Sequence, residues 1–171
     1  MGRTLLIINA VFLMTSCDSS TGVITPDPVD EGWKAVENYE HSFNTKDLAL
    51  LEETLDPTFE FWLPEEEWDD YNGDGIVDTV LTKEMYLQFV SSLFDTYELV
   101  ELYLEGDNED VWYGDTTGET LQLARSFQKK AYNWVGGEQE GFAEQGTILF
   151  LSKPDISGSW RITSVTEQTE L

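Results

Sequence analysis

The chain of 171 residues contains one cysteine, Cys17. No intrachain disulfide can brace it, so whatever folds must be held by a hydrophobic core alone. Apolar residues make up 40% of the chain and aromatics 13%, which is enough to build one. The position of Cys17 constrains the chain further. It closes a short apolar run, Leu5 to Met14, that starts after Arg3 and ends in the small residues Thr15 and Ser16. That layout reads as an export signal and not as structure. The run falls short of the ~20 apolar residues that span a bilayer.

The stretch Met14-Thr15-Ser16-Cys17 resembles a bacterial lipobox, in which the cysteine sulfur receives a diacylglyceryl group before cleavage. The alternative is a free thiol behind an ordinary signal peptide. An odd cysteine in an exported chain needs an explanation, and lipidation of Cys17 supplies it. Ser19, Ser20, Thr21, Gly22, Pro26 and Pro28 then give a tether with no apolar period. The expected division is a signal peptide over 1–16, lipidated Cys17 and tether over 17–29, and one folded domain over 30–171. Two acyl chains suffice for stable anchoring. The expected location is the bacterial cell envelope, extracytoplasmic, periplasmic or surface, on a lipid bilayer through the N-terminal lipid.

Thirty-four acids against nine bases give a net charge of −25. Such a surface repels nucleic acid, whose binding depends on Lys and Arg neutralising phosphates. It repels anionic lipid headgroups for the same reason. Charge of this size signals disorder only when apolar residues are scarce, which is not the case here. About 140 residues follow the tether, enough for one domain with a core. The acidity reads as a solubility device, with attraction of divalent cations as the functional alternative.

Periodicity divides this domain. A helix is predicted from Asp30 to about Phe43, with Val36, Tyr39 and Phe43 on one side. A second starts near Asn44 or Thr45, carries Leu48, Leu51 and Leu55, and stops at Asp56-Pro57. Thr58 to Leu63 alternates as a strand. A third helix runs from a Thr82 cap to about Phe94. The period then changes to two, over Val100 to Glu105, Leu121 to about Trp134, Phe142 to Leu151 and Trp160 to Val165, with a short strand at most at Val111 to Tyr113. Helices first and strands afterwards indicate an α+β fold, with N-terminal helices packed on a curved antiparallel sheet.

Ala35-Val36-Glu37-Asn38-Tyr39-Glu40-His41-Ser42-Phe43-Asn44-Thr45-Lys46-Asp47-Leu48, then Leu55-Asp56-Pro57-Thr58-Phe59-Glu60-Phe61, and the ending Gly158-Ser159-Trp160-Arg161-Ile162 resemble the nuclear transport factor 2-like (SnoaL-like, cystatin-like cone) superfamily. The resemblance covers roughly Glu31 to Glu167. It implies a cone of sheet wrapped against helices and open at one end. It also implies Asp, His or Tyr inside the cone as acid, base or oxyanion donor where a member is an enzyme, and a possible homodimer through the sheet.

Catalytic candidates are few. His41, the only histidine, lies more than a quarter turn from the Val36–Phe43 stripe and is expected to face solvent. Glu60 is a base only if its strand face lines the cone, where apolar surroundings would raise its pKa. On the other face it is an ordinary solvated carboxylate, and that is the favoured reading. Trp62, Tyr132 and Trp134 are candidate pocket residues, weighed against a role in the core.

The sharpest local motif is Asp70-Tyr71-Asn72-Gly73-Asp74-Gly75-Ile76-Val77-Asp78, within an insert at 64–81. Its spacing resembles the start of an EF-hand or dockerin calcium loop. Asp70, Asn72, Asp74, the Ile76 carbonyl and Asp78 are the candidate Ca²⁺ ligands. Leu81 occupies the twelfth position, where a bidentate acid belongs. The competing reading is an acidic Asn-Gly/Asp-Gly turn.

Three functional expectations follow. The first is a non-enzymatic lipoprotein whose cone binds a small ligand or a protein, stabilised by calcium. The second is a small SnoaL- or ketosteroid-isomerase-like enzyme with a pocket carboxylate as general base. The third is a calcium-dependent protein-interaction module.

Overall fold

The computed structural model describes residues 31–106, 112–113, 120–136 and 138–169. The expected export signal, Cys17, the expected tether and Asp30 cap, and Val111 lie outside the described residues.

Helix α1, Gly32–Thr45, opens the domain, and its inward stripe of Ala35, Val36, Tyr39 and Phe43 is buried. It stops at Lys46, which takes the left-handed conformation at φ 55°. Asp47 then caps α2, Leu48–Thr54, by accepting the Leu50 N–H at 2.9 Å. Strand β1, Leu55–Trp62, follows at once. The insert leads to a three-residue strand β2, Val80–Thr82, which the sequence did not announce. Thr82 caps α3, Lys83–Thr96, as its spacing predicts. The rest is strand: β3 Leu99–Glu105, β4 Trp112–Tyr113, β5 Leu121–Val135, β6 Glu138–Pro154 and β7 Trp160–Thr169.

These strands make one seven-stranded sheet in the order β2-β1-β7-β6-β5-β3, with β4 on β5. The expected antiparallel sheet is corrected in one place. β1 runs parallel to β7, so the sheet is mixed. The α1–α2 pair delivers β1 beside the last strand and pointing the same way. The β1–β7 register slips between Leu55 and Glu60, around Pro57, which has no N–H for the ladder. β5 and β6 form a long hairpin that pairs from Leu121↔Ser152 to Val135↔Glu138. Gly136 turns it with φ +63°, a conformation suited to a tight hairpin. Near the turn the strands approach so closely that a Cβ on Gly141 would fall 1.9 Å from the Ala131 carbonyl oxygen.

Alternation sorts each strand into two faces. Phe59 and Phe61 of β1, Leu121, Leu123, Phe127 and Ala131 of β5, Ile148 and Phe150 of β6, and Ile162 and Val165 of β7 all point to the helices and are buried. Tyr39 meets Phe150 edge-on at 5.2 Å, and Tyr86 stacks on Phe61 at 4.8 Å.

The free edge at β3 is covered by α1. Asn44 Nδ2 donates to the Leu102 carbonyl at 2.8 Å, and its Oδ1 accepts the Leu102 N–H at 2.7 Å. One side-chain amide thus mimics a neighbouring strand. Glu40 Oε1 accepts the Leu104 N–H at 3.2 Å. Asn44→Ala removes both Leu102 bonds. It is expected to lower unfolding free energy by about 1–3 kcal/mol in urea denaturation and to speed amide exchange at Leu102.

Candidate functional site

The sheet and the helices line a partly open cavity of about 410 Å³. Its wall is mostly apolar, with Phe43 from α1, Phe61 from β1, Leu93 from α3, Leu102 from β3 and Phe142 from β6. Glu67 and Tyr71 of the insert also face it, and the Tyr71 hydroxyl donates to the Glu67 carbonyl at 2.9 Å. The insert therefore forms part of the cavity wall.

Three charged side chains meet inside. Lys129 on β5 has the same strand parity as Phe127 and Ala131, so it points inward. Its Nζ lies 3.0 Å from Glu144 Oε2 and 3.1 Å from Glu167 Oε2. Glu144 sits directly opposite Lys129 on β6. Glu167 comes from β7, across the inward position of Gly146, which has no side chain to obstruct it. The Glu167 side chain is only 6% exposed and that of Lys129 14%. Burial alone pulls the Lys129 ammonium down, but Glu167 and Glu144 more than reverse this, and its pKa ends above the ordinary lysine range. The group is held cationic and is neither base nor nucleophile at neutral pH.

Beside this triad the hydroxyls of Tyr39 and Tyr86 share a short hydrogen bond. Burial pushes the Tyr39 hydroxyl well above the ordinary phenol range. Glu167 adds to the rise, and the bond to Tyr86 pulls partly back. Tyr86 is raised by burial, then by Tyr39 and Glu167. Both phenols stay protonated. One hydrogen joins the pair, and the other is left to serve a further acceptor.

The residues singled out from sequence lie elsewhere. Glu60 and Trp62 are on the outward face of β1, with Trp62 46% exposed. The pocket-base reading of Glu60 is corrected: alternation buries Phe59 and Phe61 and turns Glu60 to solvent. Trp134 is 57% exposed, and Tyr132 meets it edge-on at 6.0 Å on the outward parity of β5. Trp62, Tyr132 and Trp134 are therefore not cavity residues. His41 is half-buried on α1 and is not among the cavity-lining residues.

The acidic loop has a definite geometry. Asp70 Oδ1 accepts the Gly73 and Asp74 N–H groups at 2.7 and 3.0 Å, and Oδ2 accepts that of Gly75 at 2.8 Å. Asn72 Oδ1 accepts from Asp74, Asp74 Oδ1 from Ile76, and Asp78 Oδ2 from Tyr71. Asp69 and Asp78 close the loop as an isolated bridge. Among the described residues no group of three or more His, Cys, Asp or Glu side chains converges to hold a metal. The loop oxygens accept its own amides, and a carboxylate keeps acceptor sites beyond those it gives to N–H groups.

Lys129, Glu144 and Glu167 carried a signal in the sequence. Extending the inward parity of Leu121, Leu123, Arg125 and Phe127 by one step reaches Lys129, and charge on a core-facing parity marks a functional candidate.

Two predictions test this arrangement. Lys129→Met leaves two enclosed carboxylates without their cation and is expected to remove about 3–5 kcal/mol at pH 7. In the parent, the raised Lys129 pKa gives a contribution that is complete below ~10.4, flat from pH 5 to 7, and lost only as pH rises through the raised value. Urea denaturation at several pH values measures both. Tyr39→Phe and Tyr86→Phe are each expected to lose about 1–3 kcal/mol, and the double variant less than their sum. Strict additivity would deny the shared bond.

No family model and no curated protein matches the chain. Solved structures do. A nuclear transport factor 2-like family protein from Streptomyces avermitilis, named as a candidate dehydratase, superposes with a TM-score of 0.61 at 14% identity, over 86% of this chain and 99% of its own. A ketosteroid isomerase-like protein from Erwinia carotovora atroseptica gives 0.57 at 16% identity, over 86% and 99%. A nuclear transport factor 2-like superfamily protein from Salmonella enterica serovar Typhimurium gives 0.57 at 13% identity, over 81% and 87%. With the helices on the concave face of a curved sheet, the chain has the nuclear transport factor 2-like α+β cone fold.

Proposed function

We propose that this domain is a binding module, held on the extracytoplasmic side of a bacterial membrane by a lipid on Cys17, and that it takes a small, largely apolar molecule into its cavity. The observation that carries the reading is the partly open cavity of about 410 Å³, walled by aromatic and aliphatic side chains. A few polar groups on an apolar wall are the usual make-up of a small-molecule site. Both carboxylates of the triad are committed to Lys129. Calcium held by Asp70, Asn72, Asp74, the Ile76 carbonyl and Asp78, as a staple of the insert, belongs to the same proposal. No described helix is long and apolar enough to cross a membrane, which suits attachment by lipid.

A homodimer through the outward sheet face belongs to the same proposal. Trp62 and Trp134 leave 46% and 57% of their surface there in the isolated chain.

The neutral fluorophore N-phenyl-1-naphthylamine is expected to bind one per chain with enhanced emission. Leu93→Trp, which fills the cavity, is expected to weaken it about tenfold while far-UV circular dichroism stays unchanged. Absence of saturable binding rejects the reading. In cells, Cys17→Ser is expected to abolish fatty-acid labelling and move the protein out of the membrane fraction. Unchanged labelling rejects the anchor.

A further inference from the structure

The triad is not neutral. One ammonium faces two carboxylates, 3.0 and 3.1 Å away, and Glu67 of the insert adds a third acid to the same cavity. Glu144 lines the cavity, its Oε2 is ion-paired with Lys129, and its side chain keeps 32% of its surface accessible. Its carboxylate has acceptor capacity to spare beyond the ion pair. The remaining wall holds the aromatic rings of Phe61, Tyr86, Phe89, Tyr97 and Phe142. Aromatic faces attract organic cations and repel anions. An excess carboxylate charge screened from water does the same, and more strongly than at an exposed surface.

We propose that the cavity selects an organic cation, an ammonium group on an aryl- or alkyl-sized apolar body, with Glu144 accepting the ammonium N–H. Lys129 keeps its place in this scheme. It holds Glu144 and Glu167 together and leaves one net negative charge for the ligand to neutralise. The inference rests on the binding reading above and names the ligand class of that same site.

The test uses three probes of one shape: 4-phenylbutylamine, 4-phenylbutanol and 4-phenylbutanoate. Each is titrated into the protein by calorimetry at 0.15 M salt, where nonspecific attraction to the acidic surface is screened. The amine is expected to bind at least about tenfold tighter than the carboxylate, the gain of one charge-assisted hydrogen bond. Glu144→Gln is expected to shrink that ratio. Glu60→Gln, on the outward face, is expected to leave it unchanged. Equal affinities, a preference for the carboxylate, or a ratio altered as much by Glu60→Gln overturns the charge assignment. If the three probes fail while N-phenyl-1-naphthylamine binds, the cation class falls and the binding reading stands. If that fluorophore fails as well, both fall.

Discussion

Every buried layer of this molecule rests on one face of a single sheet. With one cysteine in the chain, no covalent brace is available, and the helices are held by the apolar surface they cover. Tyr39 and Phe43 on α1, Tyr86 and Val90 on α3, and the inward residues of β1, β5, β6 and β7 form that surface. At ~25 cal/mol per Å² of apolar area withdrawn from water, such a face is the dominant stabilising term. The sheet's curvature keeps part of it from closing, because a curved sheet and straight helices cannot touch along their whole length. The cavity is the space left between them.

The buried polar groups of that space stand beside one another. Lys129 is accompanied by Glu144 and Glu167, and Tyr39 by Tyr86. A lone ammonium or phenol at these positions would carry an uncompensated desolvation penalty. Outside, the chain does the opposite and exposes a large excess of acids. The same residue type, glutamate, is a solubilising group at Glu60 and a structural anion at Glu167. Strand parity decides which.

Much of the fold could be read from the chain. The Thr82 cap, the change of period after Phe94, and the alternation along β5 and β6 are local features, written in consecutive residues. β2 was missed because three residues are too few for a period to show. The parallel β1–β7 pairing was missed because pairing direction depends on where two helices deliver a strand, which no local pattern records. The site was harder still. Rare or chemically familiar residues, His41, Glu60 and the Asp70–Asp78 spacing, stand out in the sequence more than the triad does. His41 and Glu60 lie outside the cavity lining, and the loop carboxylates bind their own backbone amides. An Asp-x-Asn-x-Asp-Gly run satisfies an Asx-turn network as well as it satisfies an ion, and spacing alone does not separate the two.

The chain by itself determined its class, because helix and strand periods, caps and breakers act over a few residues and need no distant partner. It determined the parity of Lys129 and Glu144 in the same way, whereas Glu167 lies beyond the strand predicted to end at Val165. Tertiary structure alone decided that these three meet. They stand on three strands, separated by up to 38 positions, and their approach depends on the β5–β6 register, the β6–β7 register and the empty position at Gly146. Contact between distant residues is set by registers and curvature, which belong to the assembled sheet and to no segment of it.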